Sequence, residues 1–150
     1  MTTLTVEKIT PENVAATCQL AVEEHQKDFV APVAVSLAEA YARPEVAWPR
    51  LIRADGEPAA FVMGAFDPGA ELDFFRCGIW RLNVGAGVLG RGYGRFAVES
   101  VLDEARRRGE TAATVLWIPA DGGPAEFYLK LGFRPTGQTF NGEVVARIEL

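Results

Sequence analysis

Residues 84–95 read Val-Gly-Ala-Gly-Val-Leu-Gly-Arg-Gly-Tyr-Gly-Arg, five glycines spaced two or three apart between an apolar strand-like run and an amphipathic helix. Glycine lacks a Cβ and tolerates positive φ, so such a run lets successive backbone N–H groups turn toward one point. Because a helix follows directly, those donors add to the positive end of its dipole, and the segment reads as a site for phosphate. Residues 73–84 form the strand-like run before the loop, and Ala97, Val98, Val101, Leu102 and Ala105 mark one apolar face of the helix after it. Arg106, Arg107 and Arg108 fill its last turn and Gly109 ends it. The next segment, TAATVLWI (111–118), has the composition of a buried strand. Strand, glycine loop, helix and strand therefore make one right-handed βαβ unit.

Upstream, residues 3–9 alternate as a first strand. Thr10 offers an N-cap hydroxyl, Pro11 suits the first helical position, and Val14, Cys18, Ala21, Val22 and His25 recur at helical spacing, which predicts a helix to about Asp28. A shorter helix is expected from Ser36 to just before Pro44, with FVAPVAV (29–35) as a loop between the two. Trp48–Arg53 and Pro58–Phe66 read as strands joined by an Asp55-Gly56 turn. Downstream, a helix is expected from Pro124 to Leu131, stopped by Gly132. FRPTGQTF and EVVARIEL then flank Asn141-Gly142 as a closing hairpin. The fold class is α+β: a mixed, mostly antiparallel sheet with hairpins at both ends and one parallel crossover at its centre. Ligands of open sheets sit where strand direction changes, and the glycine loop lies there.

With 150 residues and 49% apolar composition, residues 1–150 are expected to form a single domain. A net charge of −5 argues against a nucleic-acid partner. The charge is uneven: residues 1–75 carry 5 Lys and Arg against 12 Asp and Glu, and residues 76–150 carry 10 against 8. An anion suits the second half and a cation the first. No apolar run approaches the roughly 20 residues of a membrane span, and MTTLTVEKIT lacks a signal core, so no membrane partner and a cytoplasmic location are expected. Cys18 and Cys77 stand singly and His25 is the only histidine; no metal site is expected, and both thiols read as buried small hydrophobes.

Gly85–Gly90 matches the dinucleotide pattern G-x-G-x-x-G, but Gly92 and Gly94 delay the helix, and Asp103 and Glu104 lie on that helix instead of after the next strand. A Walker loop fails for want of Gly-Lys-Ser/Thr. The second glycine set, Leu89-Gly90-Arg91-Gly92-Tyr93-Gly94, resembles the acyl-CoA pyrophosphate loop, Gln/Arg-x-x-Gly-x-Gly/Ala, of the GCN5-related N-acetyltransferase (GNAT) superfamily. AEFYLKLGF (125–133) is similar to that superfamily's Ala-x-x-x-Tyr-x-x-x-Gly-Phe segment. Residues 23–31, 36–45, 79–82 and 142–150 look like the small bacterial diamine or spermidine/spermine N-acetyltransferases, a likeness that covers about residues 4–150.

The resemblance implies a GNAT-type sheet with a splayed central parallel pair and flanking helices, and acetyl-CoA as co-substrate. The amides of Leu89, Gly90, Arg91, Gly92, Tyr93, Gly94 and Arg95 would hold the pyrophosphate, with charge from Arg91 and Arg95. Leu82, Asn83 and Val84 would pair with the pantetheine arm, the Leu82 N–H polarising the thioester carbonyl. Tyr128 would be the general acid that protonates the departing sulfur; a core aromatic is its plainer reading. Glu23, Glu24 and Asp28, with Glu39 and Glu45 near them, are candidates to attract a polycation or start a water relay, or are simply a solvated face. Tyr41 and Trp80, with Phe29 and Trp48, could line an alkylamine chain or belong to the core. Asp121 stands near the cofactor where Asn is common, Leu89 replaces the usual Gln or Arg, and Pro124 the usual Ala. The partner is then a small amine, with an antibiotic amine, a protein N-terminus or a non-catalytic acyl-CoA sensor as alternatives; homodimers are common among such small enzymes.

Overall fold

A computed structural model describes residues 1–150, whose strands are β1 (Leu4–Lys8), β2 (Ala47–Ala54), β3 (Glu57–Phe66), β4 (Cys77–Val84), β5 (Ala112–Trp117), β6 (Arg134–Phe140) and β7 (Glu143–Glu149). They form a seven-stranded sheet in the order β1-β2-β3-β4-β5-β7-β6. Every neighbouring pair is antiparallel except β4 and β5. The helices are α1 (Val14–Cys18), α2 (Val33–Ala42), α3 (Tyr93–Arg107) and α4 (Ala125–Leu131), with 3₁₀ turns at Glu24–Gln26 and Asp73–Phe75. None is long and apolar enough to cross a membrane. The α+β class, the mostly antiparallel sheet and the single parallel pair stand as expected.

The apolar stripe of α3 packs where its spacing predicts. Ala97, Val98, Val101, Leu102 and Ala105 are buried with Ala60 and Val62 of β3, Val115 of β5 and Tyr128 of α4 in the main core. A smaller cluster on the opposite face joins Val33 and Ala40 of α2 to Phe61 and Met63 of β3. Both hairpin turns carry positive φ at their two central residues, Asp55 (49°) with Gly56 (83°) and Asn141 (49°) with Gly142 (80°). Those values suit the right-handed twist of paired strands.

Four local expectations are corrected. The first helix does not reach Asp28; α1 ends at Cys18 and the chain turns to serve the glycine loop. Ala86 N–H donates to the Ala21 carbonyl (2.7 Å) and Gly87 N–H to Glu23 Oε1 (2.7 Å), bonds that need residues 19–23 out of helical conformation. Thr10 does not cap α1 with its hydroxyl; its backbone N–H donates instead to Asn13 Oδ1. Helix α2 begins at Val33, not Ser36, because the Pro32 carbonyl already accepts from Val35 and Ser36, and Ser36 is buried inside the helix. Residues 73–75 form a 3₁₀ turn instead of strand, for Phe74 and Phe75 gather against Phe140 at centroid distances of 5.7 and 5.0 Å.

The thiols divide. Cys77 is buried, and burial pushes its pKa up to about 11, so it stays a neutral apolar filler. Cys18, expected inside, is exposed because the short α1 turns Thr17 inward, where its hydroxyl donates to the Asn13 carbonyl.

The central strands part after two residue pairs. β4 and β5 are in parallel register only at Gly78–Thr114 and Ile79–Val115. Immediately beyond, the β3–β4 register slips by one, leaving Trp80 as an extra residue on β4. A bulge bends its strand and raises the local twist, which carries residues 80–84 away from β5. Closeness on one side of the split makes the opening possible: a Cβ on Gly78 would lie 2.1 Å from the Thr114 carbonyl oxygen. Gly78→Ala is expected to lower stability by at least about 2 kcal/mol through backbone overpacking, read as a reduced denaturation midpoint. An unchanged midpoint would show that the strands can part at Gly78 without cost.

Candidate active site

The split opens a cavity of about 890 Å³, lined by the segment 22–31, the end of β4, the glycine loop, the start of α3 and residues 122–128. The β4 wall presents its backbone. Gly85 N–H donates to the Ala59 carbonyl at 2.9 Å, and Phe61 faces Asn83 in the same register. Hydrogen-bonded and non-hydrogen-bonded pairs alternate along an antiparallel ladder. The N–H and C=O groups of Leu82 and Val84 therefore point away from β3, into the split. Asn83 takes the other role. Its backbone serves β3, and its buried side chain donates to the Ala31 carbonyl at 2.9 Å, tying the segment over the cavity to the sheet.

At the far end lies the glycine loop. Residues Leu89–Arg95 supply seven consecutive backbone N–H groups that donate to nothing in the protein; the first amide of α3 with a partner is that of Phe96, bonded to Gly92. Gly90 and Gly92 hold positive φ (79° and 84°), and a Cβ on either would meet only open space. Gly94 serves packing instead, since a Cβ there would lie 3.2 Å from Phe127 and Val84. Arg91 and Arg95 are exposed and form no ion pair. Unpartnered amides, a helix N-terminus and two free guanidinium groups are together able to hold an anionic, phosphate-bearing ligand.

Tyr128 stands on the same side of the sheet. Its ring stacks on Trp117 (5.7 Å between centroids, 2° between planes) and meets Phe127 and Phe133 edge-on, leaving 6% of the residue accessible. The hydroxyl has no partner in the protein, yet it is not among the sealed polar atoms; it lines the cavity. Burial raises its pKa well above that of a free phenol, so it holds its proton across ordinary pH.

Other expected site residues are scattered. Asp28 and Trp80 line the cavity. Glu23 is engaged with the Gly87 amide, and Glu24 pairs with Lys27 in solvent. Tyr41 is 88% accessible and does not line this cavity, while Asp121 is exposed beside Gly122, which does. Trp48 is buried in the main core, and Glu39 is paired with Arg81 at 2.9 Å.

A second cavity, of about 500 Å³, opens on the other side of the split. Its walls include Phe74, Phe75 and Phe140, the carboxylates of Asp67 and Glu71, and Arg43. Ile79, Trp80, Arg81, Leu116 and Glu143 line both cavities, which therefore meet through the sheet. Sequence reading did not single out Glu143; a turn-flanking carboxylate carries no signal until the split brings it to the cleft.

A bulged, splayed strand pair, a crossover helix with bare N-terminal amides and a buried phenol share one cleft. The model of the acetyltransferase (GNAT) family matches residues 11–133, and the chain belongs to that family. It is an acetyltransferase, and acetyl-CoA fits its site as co-substrate: seven free amides and two free arginines suit a pyrophosphate, and the open backbone of Leu82 and Val84 suits an amide-bearing arm. A search of the curated proteins finds no match. Among solved structures, a domain from Methanocaldococcus jannaschii DSM 2661 has a TM-score of 0.75 at 16% identity over all of both chains. The PaiA N-acetyltransferase of Thermoplasma acidophilum, solved in complex with coenzyme A, has a TM-score of 0.73 at 12% identity over 99% of each chain. The ribosomal-protein-S18-alanine N-acetyltransferase of Escherichia coli has 0.69 at 16% identity, over 98% of this chain and 94% of that one. At these identities the likeness is one of fold.

Proposed function

We propose that residues 1–150 act as one cytoplasmic N-acetyltransferase domain that moves the acetyl group of acetyl-CoA to a primary amine of a small diamine or polyamine, by direct attack in a ternary complex. The observation that carries this reading is the run of free amides at 89–95 opening into the same cleft as the Tyr128 hydroxyl. The amides hold the pyrophosphate, and Leu82 and Val84 receive the pantetheine arm. Leu82 N–H stabilises the carbonyl oxygen as charge develops on it. Tyr128 donates its proton to the departing sulfur.

The second cavity supports a polycationic acceptor. Asp67 is paired with Arg43 (3.3 Å), whereas Glu71 and Glu143 have no cationic partner. Two free carboxylates with three phenylalanine rings suit ammonium groups joined by methylenes, through charge, cation–π attraction and apolar burial. Initial velocities of thiol release, with acetyl-CoA and spermidine both varied, test the scheme. Intersecting reciprocal lines are expected; parallel lines would indicate an acetyl-enzyme and overturn direct attack.

A further inference from the structure

We infer that Glu143 is the group that takes the proton from the acceptor's ammonium; this rests on the acetyltransferase reading above. Val144, Ala146 and Ile148 of β7 pack into the core beneath α3 and α4. Side chains alternate along a strand, so Glu143 belongs to the opposite face, that of the second cavity. The turn at Asn141-Gly142 fixes it there, in register with Phe140, itself a wall of that cavity. Of the five residues shared by both cavities, only Glu143 and Arg81 are charged, and Arg81 is engaged with Glu39. The carboxylate thus lies on the face opposite the Tyr128 phenol, beside the split through which the two cavities join.

The remaining charged groups around these cavities leave Glu143 free. Arg43 is bound to Asp67, Glu71 is a like charge that favours a cationic guest, and Arg95 belongs to the glycine loop. Asp28 and His25 line only the first cavity.

The proton balance closes. An ammonium of pKa near 10 gives one proton to the Glu143 carboxylate, which passes it to bulk water. The freed nitrogen lone pair forms the C–N bond at the thioester carbon while the C=O π pair moves to oxygen. Collapse of that oxyanion breaks the C–S bond, and Tyr128 protonates the sulfur. The second proton lost by nitrogen replaces the one Tyr128 gave.

Glu143→Gln tests the assignment, with acetyl-CoA affinity from calorimetry as the check on folding. Near neutral pH, kcat/KM for the amine is expected to fall about 100-fold, as for loss of a general base. The deficit should shrink to within about fivefold above pH 10, where the amine reaches the site already neutral. Acetyl-CoA affinity should stay within twofold. A deficit equal at every pH, or none at all, would overturn the assignment while leaving the acetyltransferase intact. Glu143→Asp should restore part of the neutral-pH rate; if it restores none, or if Glu143→Gln loses acetyl-CoA binding, the role is structural and the assignment falls. Absence of turnover by the unsubstituted enzyme with every amine would overturn the underlying reading as well.

Discussion

Replacing Tyr128 with phenylalanine is expected to lower kcat by about 100-fold, the ordinary contribution of a placed general acid, and to leave acetyl-CoA affinity within twofold. The hydroxyl makes no hydrogen bond in the protein, so its removal costs the fold nothing, and the ring keeps its packing on Trp117, Phe127 and Phe133. The effect is therefore confined to protonation of the leaving thiolate. Because burial raises the phenol's pKa, Tyr128 is protonated throughout neutral and mildly alkaline solution, and its ionisation produces no falling limb below about pH 10. Rapid-quench measurement of the chemical step with acetyl-CoA saturating is the decisive assay. Turnover equal to that of the unsubstituted enzyme would remove Tyr128 from the reaction.

Gly92→Asp is expected to abolish tight cofactor binding by a different route. The residue caps α3 with φ 84°, a conformation that costs a non-glycine residue about 1 kcal/mol. Nothing in the protein lies within 4 Å of the added Cβ, so folding survives with modest strain. The new carboxylate, however, would stand among the free amides of 89–95 and compete for them with the cofactor's phosphates. Acetyl-CoA Kd is expected to rise at least about 100-fold, some 2.7 kcal/mol, with less than about 2 kcal/mol lost from stability. Calorimetric affinity within twofold of the unsubstituted protein would place the pyrophosphate elsewhere.

Much of this architecture is legible in the sequence because it is written locally. The α3 stripe, Asp55-Gly56, Asn141-Gly142 and the αL glycine Gly132 that ends α4 each declare themselves within a few residues, and all stand in the structure. What was not legible depends on partners distant in sequence. Ala21 and Glu23 leave helical spacing because Ala86 and Gly87, more than sixty residues on, claim them. The same holds for the candidate site. The glycine loop and Tyr128 are visible as motifs within single segments, whereas Glu143 comes to the cleft only where the Trp80 bulge parts two strands. Of the acidic residues beyond α1, Glu23 is engaged with the Gly87 amide and Glu24 lies in solvent paired with Lys27, partnerships that only the folded chain reveals.

In the proposed reaction, a cleft crossing the sheet brings acetyl-CoA to one face and a small cationic amine to the other. Thiol release by the unsubstituted enzyme, with acetyl-CoA saturating and spermidine, a short diamine, an aminoglycoside and an alanyl peptide compared at equal concentration, tests it most directly. Rapid release with spermidine and the diamine, at rates at least tenfold above those with the peptide and the aminoglycoside, is the predicted result. Tight acetyl-CoA binding with no release from any of the four would make the chain an acyl-CoA sensor, and preference for the peptide would make its acceptor a protein N-terminus; either would overturn transfer to a polyamine.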